Sequence, residues 1–351
     1  MFKRLFKRQP RPTYNFEVLP QGQVLEIDDR STLLDAALDA GLPFPYGCQA
    51  GECGACVCRL VTGQLKFEMD TSHLISPGQK QAGYVLACQS KAESDVVVEI
   101  PDLPAHSVVQ TAGKVAAVRE LTHDILEMTV ALDSPMAYTA GQYAEIVVPG
   151  HVEEGRNYSF GSAPGDGPVD SLVFHVRHVP GGAFTGWLHD ADRTGAALSL
   201  TGPHGQFALR SGDDPILCVA GGSGMAPIQA VLEQAAADGV QRDVVFFFGA
   251  RAQRDLYSLD VMERIAADWP ARFHFEPVLS EEPEGSDWSG ARGLVTDRLA
   301  SLGDDLPRHQ AYLCGPPGMI DAALEILEGA GLGADRIFYD KFTDRRHVPP
   351  S

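Results

Sequence analysis

The stretch CQAGECGAC, residues 48–56, decides how the rest of the chain is interpreted. Its cysteines, Cys48, Cys53 and Cys56, are spaced C-x4-C-x2-C, and Cys88 follows a few dozen residues later. Four thiolates at this spacing are the ligands of a [2Fe–2S] cluster. We therefore predict that these four cysteines bind two irons.

Glycines interrupt the same loop at Gly47, Gly51 and Gly54. A backbone that wraps around a cluster needs positive φ values and close approach, which glycine permits, and its amides can then point at the sulfur atoms. A loop that holds zinc or a disulfide is the alternative interpretation. Zinc ribbons use paired CxxC motifs, and a CxxC redox site does not need Cys48 or Cys88, so the spacing favours the iron–sulfur cluster.

The composition of the 351-residue chain is that of a globular protein with roughly two to three domains. Its formal net charge of −19 argues against nucleic acid as a partner, because phosphate binding needs a basic surface. No apolar run reaches the roughly 20 residues that span a bilayer, so we expect no transmembrane segment. Seven cysteines without the pattern of a disulfide framework favour a reducing compartment, and we predict a cytoplasmic protein.

Residues 1–12 form a basic tail in which Phe2, Leu5 and Phe6 alternate with lysine and arginine. A short basic amphipathic pattern of this kind can make a weak contact with a membrane or a partner. The other interpretation is a frayed, solvated tail that ends at its prolines. The shortness of the tail and the absence of a second anchor favour this interpretation.

The pattern of the remaining chain changes twice. Residues 13–101 contain strands and one short helix around the cysteine loop, as in a plant-type β-grasp ferredoxin, and residues 102–112 form a linker. Short strands separated by Gly and Pro predict an antiparallel β-barrel over residues 113–210. From 211 to 351, apolar strands alternate with helical patterns, which predicts an α/β nucleotide-binding domain with a parallel, doubly wound sheet. We therefore expect a multidomain fold.

Four motifs follow one another in the middle segment. They are RNYS with Arg156, Tyr158 and Ser159, HVR with His175, Val176 and Arg177, PGGAFT with Gly181, Gly182 and Thr185, and GPHGQF at 202–207. An arginine suits a phosphate, and an aromatic side chain suits a flat ring. This order resembles the ferredoxin–NADP reductase superfamily. There the Arg binds the flavin pyrophosphate, the Tyr packs on the isoalloxazine, the Ser bonds near its reactive nitrogen, and the Gly-Gly turn, with Thr185 here in place of the usual Ser, receives pyrophosphate. The resemblance implies FAD rather than FMN.

The stretch AGGSGMAP, residues 220–227, follows an apolar strand and opens a helix. Its glycines permit close approach of a pyrophosphate, and its proline suits the first helical turn. It departs from the ordinary G-x-G-x-x-G fingerprint but is similar to the A-G-G-[TS]-G-x-A-P motif of the same superfamily. CGPP, residues 314–317, resembles the turn that lies beside the nicotinamide. The resemblance implies that the nicotinamide nucleotide is bound by Gly221, Gly222, Ser223, Gly224, Pro227, Cys314, Gly315 and Pro316.

The order ferredoxin, flavin domain, nucleotide domain resembles the reductase components of bacterial multicomponent oxygenases, such as the benzoate dioxygenase, phenol hydroxylase, and methane and toluene monooxygenase systems. The resemblance implies an oxidoreductase that passes electrons from NAD(P)H through FAD and a [2Fe–2S] cluster to a partner oxygenase of aromatic hydrocarbon catabolism. That partner is a ring-hydroxylating dioxygenase or a diiron monooxygenase. Ser159 and Cys314 are then catalytic, and Phe342, in the ending Tyr339–Phe342, is expected near the flavin. The chain continues to Ser351, which leaves open whether Phe342 caps the flavin.

The choice of nicotinamide nucleotide depends on residues after the second strand of the nucleotide domain. Arg251 and Arg254 stand where a ribose-binding acid is usual, and Asp255 follows them. Two arginines suit the 2′-phosphate of NADPH, whereas the family resemblance favours NADH, because many NADH-using relatives also carry arginine here. Arg251 is a candidate cofactor ligand in both cases.

Two other functions remain open at this stage. The chain could be a stand-alone NAD(P)H reductase for a small acceptor, such as a quinone or a sugar-nucleotide intermediate. It could instead be an electron carrier subunit of another redox complex. Intact flavin and nucleotide motifs argue against a carrier whose nucleotide site has decayed.

Overall fold

The computed structural model describes residues 11–100 and 106–343. The chain forms two units, Met1–Asp102 and Leu103–Ser351. The predicted basic tail therefore lies outside the described residues, apart from Arg11 and Pro12. None of the helices in the described ranges is long and apolar enough to cross a membrane.

A five-stranded mixed sheet with one helix packed on it forms the first unit. The strands and helices are β1 (Thr13–Leu19), β2 (Gln23–Asp28), α1 (Leu33–Asp39), β3 (Val57–Thr62), β4 (Leu65–Phe67), α2 (Pro77–Gln81), β5 (Tyr84–Leu86), β6 (Ser90–Ala92) and β7 (Val96–Glu99). The sheet order is β2-β1-β7-β3-β5, and β4 pairs separately with β6. Helix α1 begins where the Thr32 hydroxyl accepts the Asp35 amide hydrogen, and it buries Leu33, Leu34 and Ala37 against the sheet. This is the predicted β-grasp arrangement.

A sheet of six antiparallel strands forms the first half of the second unit. Its elements are β8 (Val109–Glu120), β9 (Ile125–Met136), β10 (Tyr143–Val148), β11 (Val152–Ser159), β12 (Val169–Arg177), α3 (Ala183–His189) and β13 (Ala197–His204). The strand order is β11-β10-β13-β8-β9-β12. A bridge between Phe160 and Phe174 joins the two end strands, so the sheet closes on itself as a barrel.

Parallel strands with helices between them form the second half of the same unit. They are β14 (Ile216–Gly221), α4 (Met225–Ala237), β15 (Val244–Ala250), α5 (Leu259–Asp268), β16 (Phe273–Leu279), β17 (Ala291–Arg292), β18 (Gln310–Gly315), α6 (Pro317–Gly329) and β19 (Ile337–Lys341). The order is β17-β16-β15-β14-β18-β19. Side chains of β14 alternate between two apolar cores, one with α4 and α5 and one with α6, so the sheet is buried on both faces.

This topology brings the nucleotide motifs to one edge. Strands β14, β15 and β18 are parallel neighbours, and their carboxyl ends carry Gly221, Ala250 and Gly315. Ligands of such sheets bind at the carboxyl edge of the strands. The predicted fold class is confirmed, while the exact domain bounds remain predictions. The fourth predicted cluster ligand, Cys88, lies in a 3-10 turn directly after β5.

Candidate redox site

The four predicted cluster cysteines converge as two pairs of thiols. Side-chain hydrogen bonds join Cys48 to Cys53 and Cys56 to Cys88. The backbone N–H of Cys48 also donates to Cys53 Sγ at 3.3 Å. This set fits a [2Fe–2S] cluster, because each of its two irons takes two cysteine thiolates.

Backbone amides of the loop stabilise the thiolate of Cys48. The N–H groups of Ala50 and Glu52 donate to Cys48 Sγ at 3.4 and 3.3 Å. The hydrogen bond from the Cys53 thiol, which has the largest effect, and these amides lower the pKa of Cys48 to about 5. The Cys56 thiol acts in the same way on Cys88 and lowers its pKa to about 7. The same hydrogen bonds raise the pKa values of Cys53 and Cys56, so each pair holds one thiolate, the form that iron binds, and one thiol that must lose its proton to the metal.

The glycines of the loop are needed where its backbone turns. Gly51 and Gly54 have φ values of +79° and +73°. A Cβ at Gly51 would lie 2.6 Å from Met69 Sδ, so the loop packs directly on that thioether. The ring of His73 contacts the same loop, with Nε2 3.1 Å from Gly51 O. The cysteine spacing predicts neither Met69 nor His73, because both lie in the irregular segment between β4 and α2.

Two other cysteines belong to the apolar cores. Cys58 in β3 and Cys218 in β14 are buried among the hydrophobic residues of their sheets. Burial raises the pKa of the Cys58 thiol to about 12, so it stays neutral. Both are therefore structural residues of their cores.

The RNYS motif lies on β11, an end strand of the barrel sheet. The Arg156 guanidinium donates to Gly155 O and to Glu154 Oε2, both at 2.8 Å. The Tyr158 ring packs on Phe184 of α3 at 4.8 Å between centroids, and burial raises the pKa of its phenol. One strand thus presents a cation, an aromatic ring and, at its end, the hydroxyl of Ser159. This donor set fits the pyrophosphate and the ring of a flavin.

The HVR residues of β12 point to two different sides. Val176 is buried in the barrel core, so only its backbone can serve a cofactor. His175 lies on the other side, 5.5 Å from the ring of Tyr257 in the nucleotide half. Burial lowers the pKa of His175 to about 4, so the imidazole is neutral. Arg177 lies on the same side as His175, and its Nε is 3.1 Å from Asp124 Oδ2.

The PGGAFT motif forms a tight turn into α3. Gly181 has a φ of +75°, and a Cβ at Gly182 would lie 2.5 Å from Thr185 Oγ1. The Thr185 hydroxyl accepts the Val179 amide hydrogen at 3.1 Å and lies 3.2 Å from the Val179 carbonyl oxygen. Thr185 therefore closes the turn, and its hydroxyl is engaged there.

The glycine-rich stretch after β14 approaches the CGPP turn closely. Gly222–Gly224 form one 3-10 turn, and Pro227 lies in the first turn of α4. A Cβ at Gly224 would lie 2.2 Å from Cys314 O, so only glycine fits there. Ser223 is half-buried beside it and Pro316 is exposed. The two motifs are therefore in direct backbone contact, and close approach of backbone is what a pyrophosphate site requires.

The barrel half and the nucleotide half meet at Ser159 and Asp340. A hydrogen bond from the Ser159 hydroxyl reaches the Asp340 carboxyl, whose pKa is nevertheless raised to about 6 by burial. Asp340 stands opposite Cys314 in the β18–β19 pairing, and the Cys314 thiol is fully buried there. The N–H of Phe342 donates to Gly315 O at 2.9 Å, which ties the C-terminal segment to the CGPP turn. Asp340 is absent from the predicted site residues, although it lies within the ending Tyr339–Phe342.

Arg251 is engaged in ion pairs. Its Nη2 lies 2.9 Å from Asp124 Oδ2 and 2.9 Å from Asp255 Oδ1. Asp124 comes from the turn between β8 and β9, so this ion pair joins the barrel to the nucleotide half. Arg254 is exposed. Asp124 is far from Arg251 in sequence, and no motif predicts the contact.

Family models match the three parts of the chain in order. Residues 16–93 match the 2Fe-2S iron-sulfur cluster binding domain, residues 112–209 the oxidoreductase FAD-binding domain, and residues 218–325 the oxidoreductase NAD-binding domain. The xylene/toluene monooxygenase electron transfer component of Pseudomonas putida is 40% identical over 96% of this chain and 95% of its own length. The chain belongs to the family of FAD- and [2Fe–2S]-containing oxygenase reductases.

Two further relatives match this chain over nearly its whole length. The phenol 2-monooxygenase reductase component of Pseudomonas sp. strain CF600 is 34% identical, over 94% of each chain. The crystal structure of an Amycolatopsis cytochrome P-450 reductase has a TM-score of 0.72 and 31% identity, and the match covers 95% of this chain and 99% of that one. The chain is thus an oxidoreductase whose cofactors are a [2Fe–2S] cluster, FAD and a nicotinamide nucleotide, and it passes electrons to an oxygenase.

Proposed function

We propose that this chain takes electrons from NADH and delivers them to the hydroxylase component of an aromatic-hydrocarbon monooxygenase. The observation that carries the proposal is the 40% identity over 96% of the chain to the xylene/toluene monooxygenase electron transfer component. When bound, FAD would supply the step between a donor that gives two electrons at once, NADH, and a [2Fe–2S] cluster that carries one electron at a time.

The side chains of β11 and β12 would hold the flavin. Arg156 would bind the pyrophosphate, Tyr158 would pack against the ring, and Ser159 would lie near its reactive nitrogen. The backbone of the Gly181–Thr185 turn would add amide donors for the phosphates. The Tyr158 phenol, whose pKa burial raises further above its ordinary value, would add no charge beside the flavin ring.

Ser159, Asp340 and Cys314 would line the place where nicotinamide and flavin meet. The backbone of Gly221–Gly224 and Gly315 would face the nucleotide. Gly224 lets these two turns lie together, since a Cβ there would lie 2.2 Å from Cys314 O. Asp340, with a pKa raised to about 6, can hold or release a proton near neutral pH at its Oδ atoms. Phe342, tied to Gly315, would cover this place from the C-terminal side.

The proposal includes a cytoplasmic location and NADH as the electron donor. All seven cysteines lie among the described residues and none forms a disulfide, which supports a reducing compartment. NADH rather than NADPH is proposed because the Arg251 guanidinium is already paired with two carboxylates.

Reconstitution with a partner protein tests the proposal. The purified holoprotein would be mixed with NADH, toluene and the hydroxylase component of the P. putida xylene/toluene monooxygenase. We expect NADH oxidation that depends on the hydroxylase and yields hydroxylated toluene. Rapid NADH oxidation with a quinone and no added protein, together with no product from toluene, would instead support the stand-alone reductase.

A further inference from the structure

The end of β15 carries both kinds of residue that distinguish NADH from NADPH. In doubly wound nucleotide domains, a carboxylate near this point bonds the adenosine 2′-hydroxyl of NADH, whereas an arginine accommodates the 2′-phosphate of NADPH. Here β15 ends at Ala250, Arg251 follows at once, and Asp255 comes four residues later. Sequence alone therefore cannot decide between the two nucleotides.

The structure shows that Arg251 has two carboxylate partners. Nη2 is 2.9 Å from Asp255 Oδ1 on the same loop and 2.9 Å from Asp124 Oδ2 on the barrel. Asp255 is buried and also accepts the Ala252 amide hydrogen at 2.9 Å. Both ion pairs are made through the same Nη2, so turning this nitrogen towards a phosphate would break them, which is costly where the carboxylates are partly buried.

Asp124 is itself fixed in place. Its Oδ1 accepts the Thr122 hydroxyl at 3.0 Å, and its Oδ2 accepts Arg177 Nε at 3.1 Å as well as Arg251. Around this carboxylate stand two arginines and the carboxylate of Asp255. The charges of these two arginines and two carboxylates balance, and His123 Nδ1 lies 3.6 Å from Asp255 Oδ1. Without the Asp124 carboxylate the group would carry a net positive charge.

We propose that Asp124 is a specificity-determining residue, whose carboxylate engages Arg251 and so favours NADH over NADPH. A 2′-phosphate brings close to two negative charges, and the balanced group offers it no unpaired cation. This inference rests on the proposed function, because it takes NADH as the natural donor. Asp124 acts through Arg251, so it is a positioning residue and need not touch the nucleotide.

A double-mutant cycle on the purified holoprotein tests the assignment. The variants are D124N, R251A and the double variant, and kcat/KM is measured for NADH and NADPH with ferricyanide as acceptor. We expect the NADPH-to-NADH ratio of kcat/KM to rise about tenfold in D124N, mostly through KM for NADPH. The rise should vanish in D124N/R251A, and R251A alone should change the ratio by less than about twofold.

Controls separate this effect from a general change of charge or fold. D133N removes an exposed carboxylate from β9 and should leave the ratio unchanged. If D124N does not retain flavin and cluster absorption, the test uses R251A alone. A tenfold fall in kcat/KM for NADPH in R251A would show that Arg251 already binds the 2′-phosphate and would overturn the proposal.

The outcomes also separate this inference from the proposed function. A ratio that stays within twofold in D124N, or a rise that persists without Arg251, overturns the role of Asp124 while NADH still reduces the protein. Failure of NADH to reduce the flavin of the wild-type protein would overturn the proposed function itself.

Discussion

The hydroxyl of Ser159, at the end of a barrel strand, hydrogen-bonds the carboxyl of Asp340, at the last strand of the nucleotide half. The two residues are separated by most of the second unit in sequence. Their contact joins the end of the predicted flavin motif to the strand beside Cys314. The pKa of Asp340 therefore depends on the contact between the two halves and can be used to probe it.

Asp340 should titrate near pH 6 rather than near its ordinary value of 3.8, because burial disfavours the carboxylate. Between about pH 4 and 6 the folded state keeps a proton on Asp340 that the unfolded chain has already lost. The contribution of Asp340 to stability therefore falls as the pH rises through that window.

The pKa of Asp340 can be measured from the infrared band of its protonated carboxyl group, obtained as the difference between the spectra of the wild type and D340N. S159A should raise it further, because the hydroxyl stabilises the carboxylate. A band that disappears near pH 4 would contradict the prediction, and D335N, at an exposed position, serves as the control.

Cys88 should be required for the cluster, whereas Cys58 should not. Cys88→Ala removes one of four thiols and should abolish bound iron and the visible absorption of the cluster, with the flavin retained. Cys58→Ala, in the core of the same unit, should keep the iron and lower the free energy of unfolding by about 1 kcal/mol. Iron content per chain and absorption spectra measure both. Equal iron in the two variants would rule out the ligand assignment.

Arg156 should contribute to FAD affinity. A hydrogen bond to a charged group contributes about 1.5–3 kcal/mol, so Arg156→Ala should raise the Kd for FAD about 10- to 100-fold. Titration of the flavin-free protein by flavin fluorescence measures the Kd. Arg264→Ala removes an exposed arginine from α5 and is the matched control. An unchanged Kd in Arg156→Ala would exclude a contact with the pyrophosphate.

Gly224 should be intolerant of any side chain. A Cβ there would lie 2.2 Å from Cys314 O, which forces the glycine-rich turn and the CGPP turn apart. Gly224→Ala should therefore keep flavin and cluster but slow flavin reduction by NADH at least about tenfold. Gly329→Ala, in α6 with nothing within 4 Å of its Cβ, should reduce at the wild-type rate and be slightly more stable. Wild-type rates in Gly224→Ala would mean that the two turns do not jointly bind the nucleotide.

The parts of the fold that the sequence predicts are those with strong local patterns. The cluster ligands follow from strict spacing within nine residues plus Cys88, because iron–sulfur chemistry tolerates little variation. Strands such as β14 are continuous apolar runs, since both of their faces are buried. These signals need no knowledge of distant contacts.

Strands and helices with weak local sequence patterns are not predicted from the sequence. Strand β11 has the sequence VEEGRNYS, which lacks apolar alternation because only Val152 is buried and the other residues are exposed or partly buried. The short pair β4 and β6 and the helix α6 are absent from the predicted elements as well. Strand β8 begins at Val109, inside the range predicted as a linker.

Contacts between distant residues are the second group that sequence patterns cannot predict. Asp124 meets Arg251 only after the barrel and the parallel sheet have folded against each other. Asp340 meets Ser159 for the same reason. Both contacts add residues to the candidate site that motif comparison alone does not include.

Anaerobic stopped-flow spectroscopy of the purified protein with NADH, and separately with NADPH, tests the proposed electron route most directly. We predict that NADH rapidly bleaches the flavin band and then the cluster band, and that NADPH does so far more slowly. Bleaching of the flavin with a cluster that stays oxidised, or no bleaching with either nucleotide, would contradict the route from NADH through FAD to the [2Fe–2S] cluster.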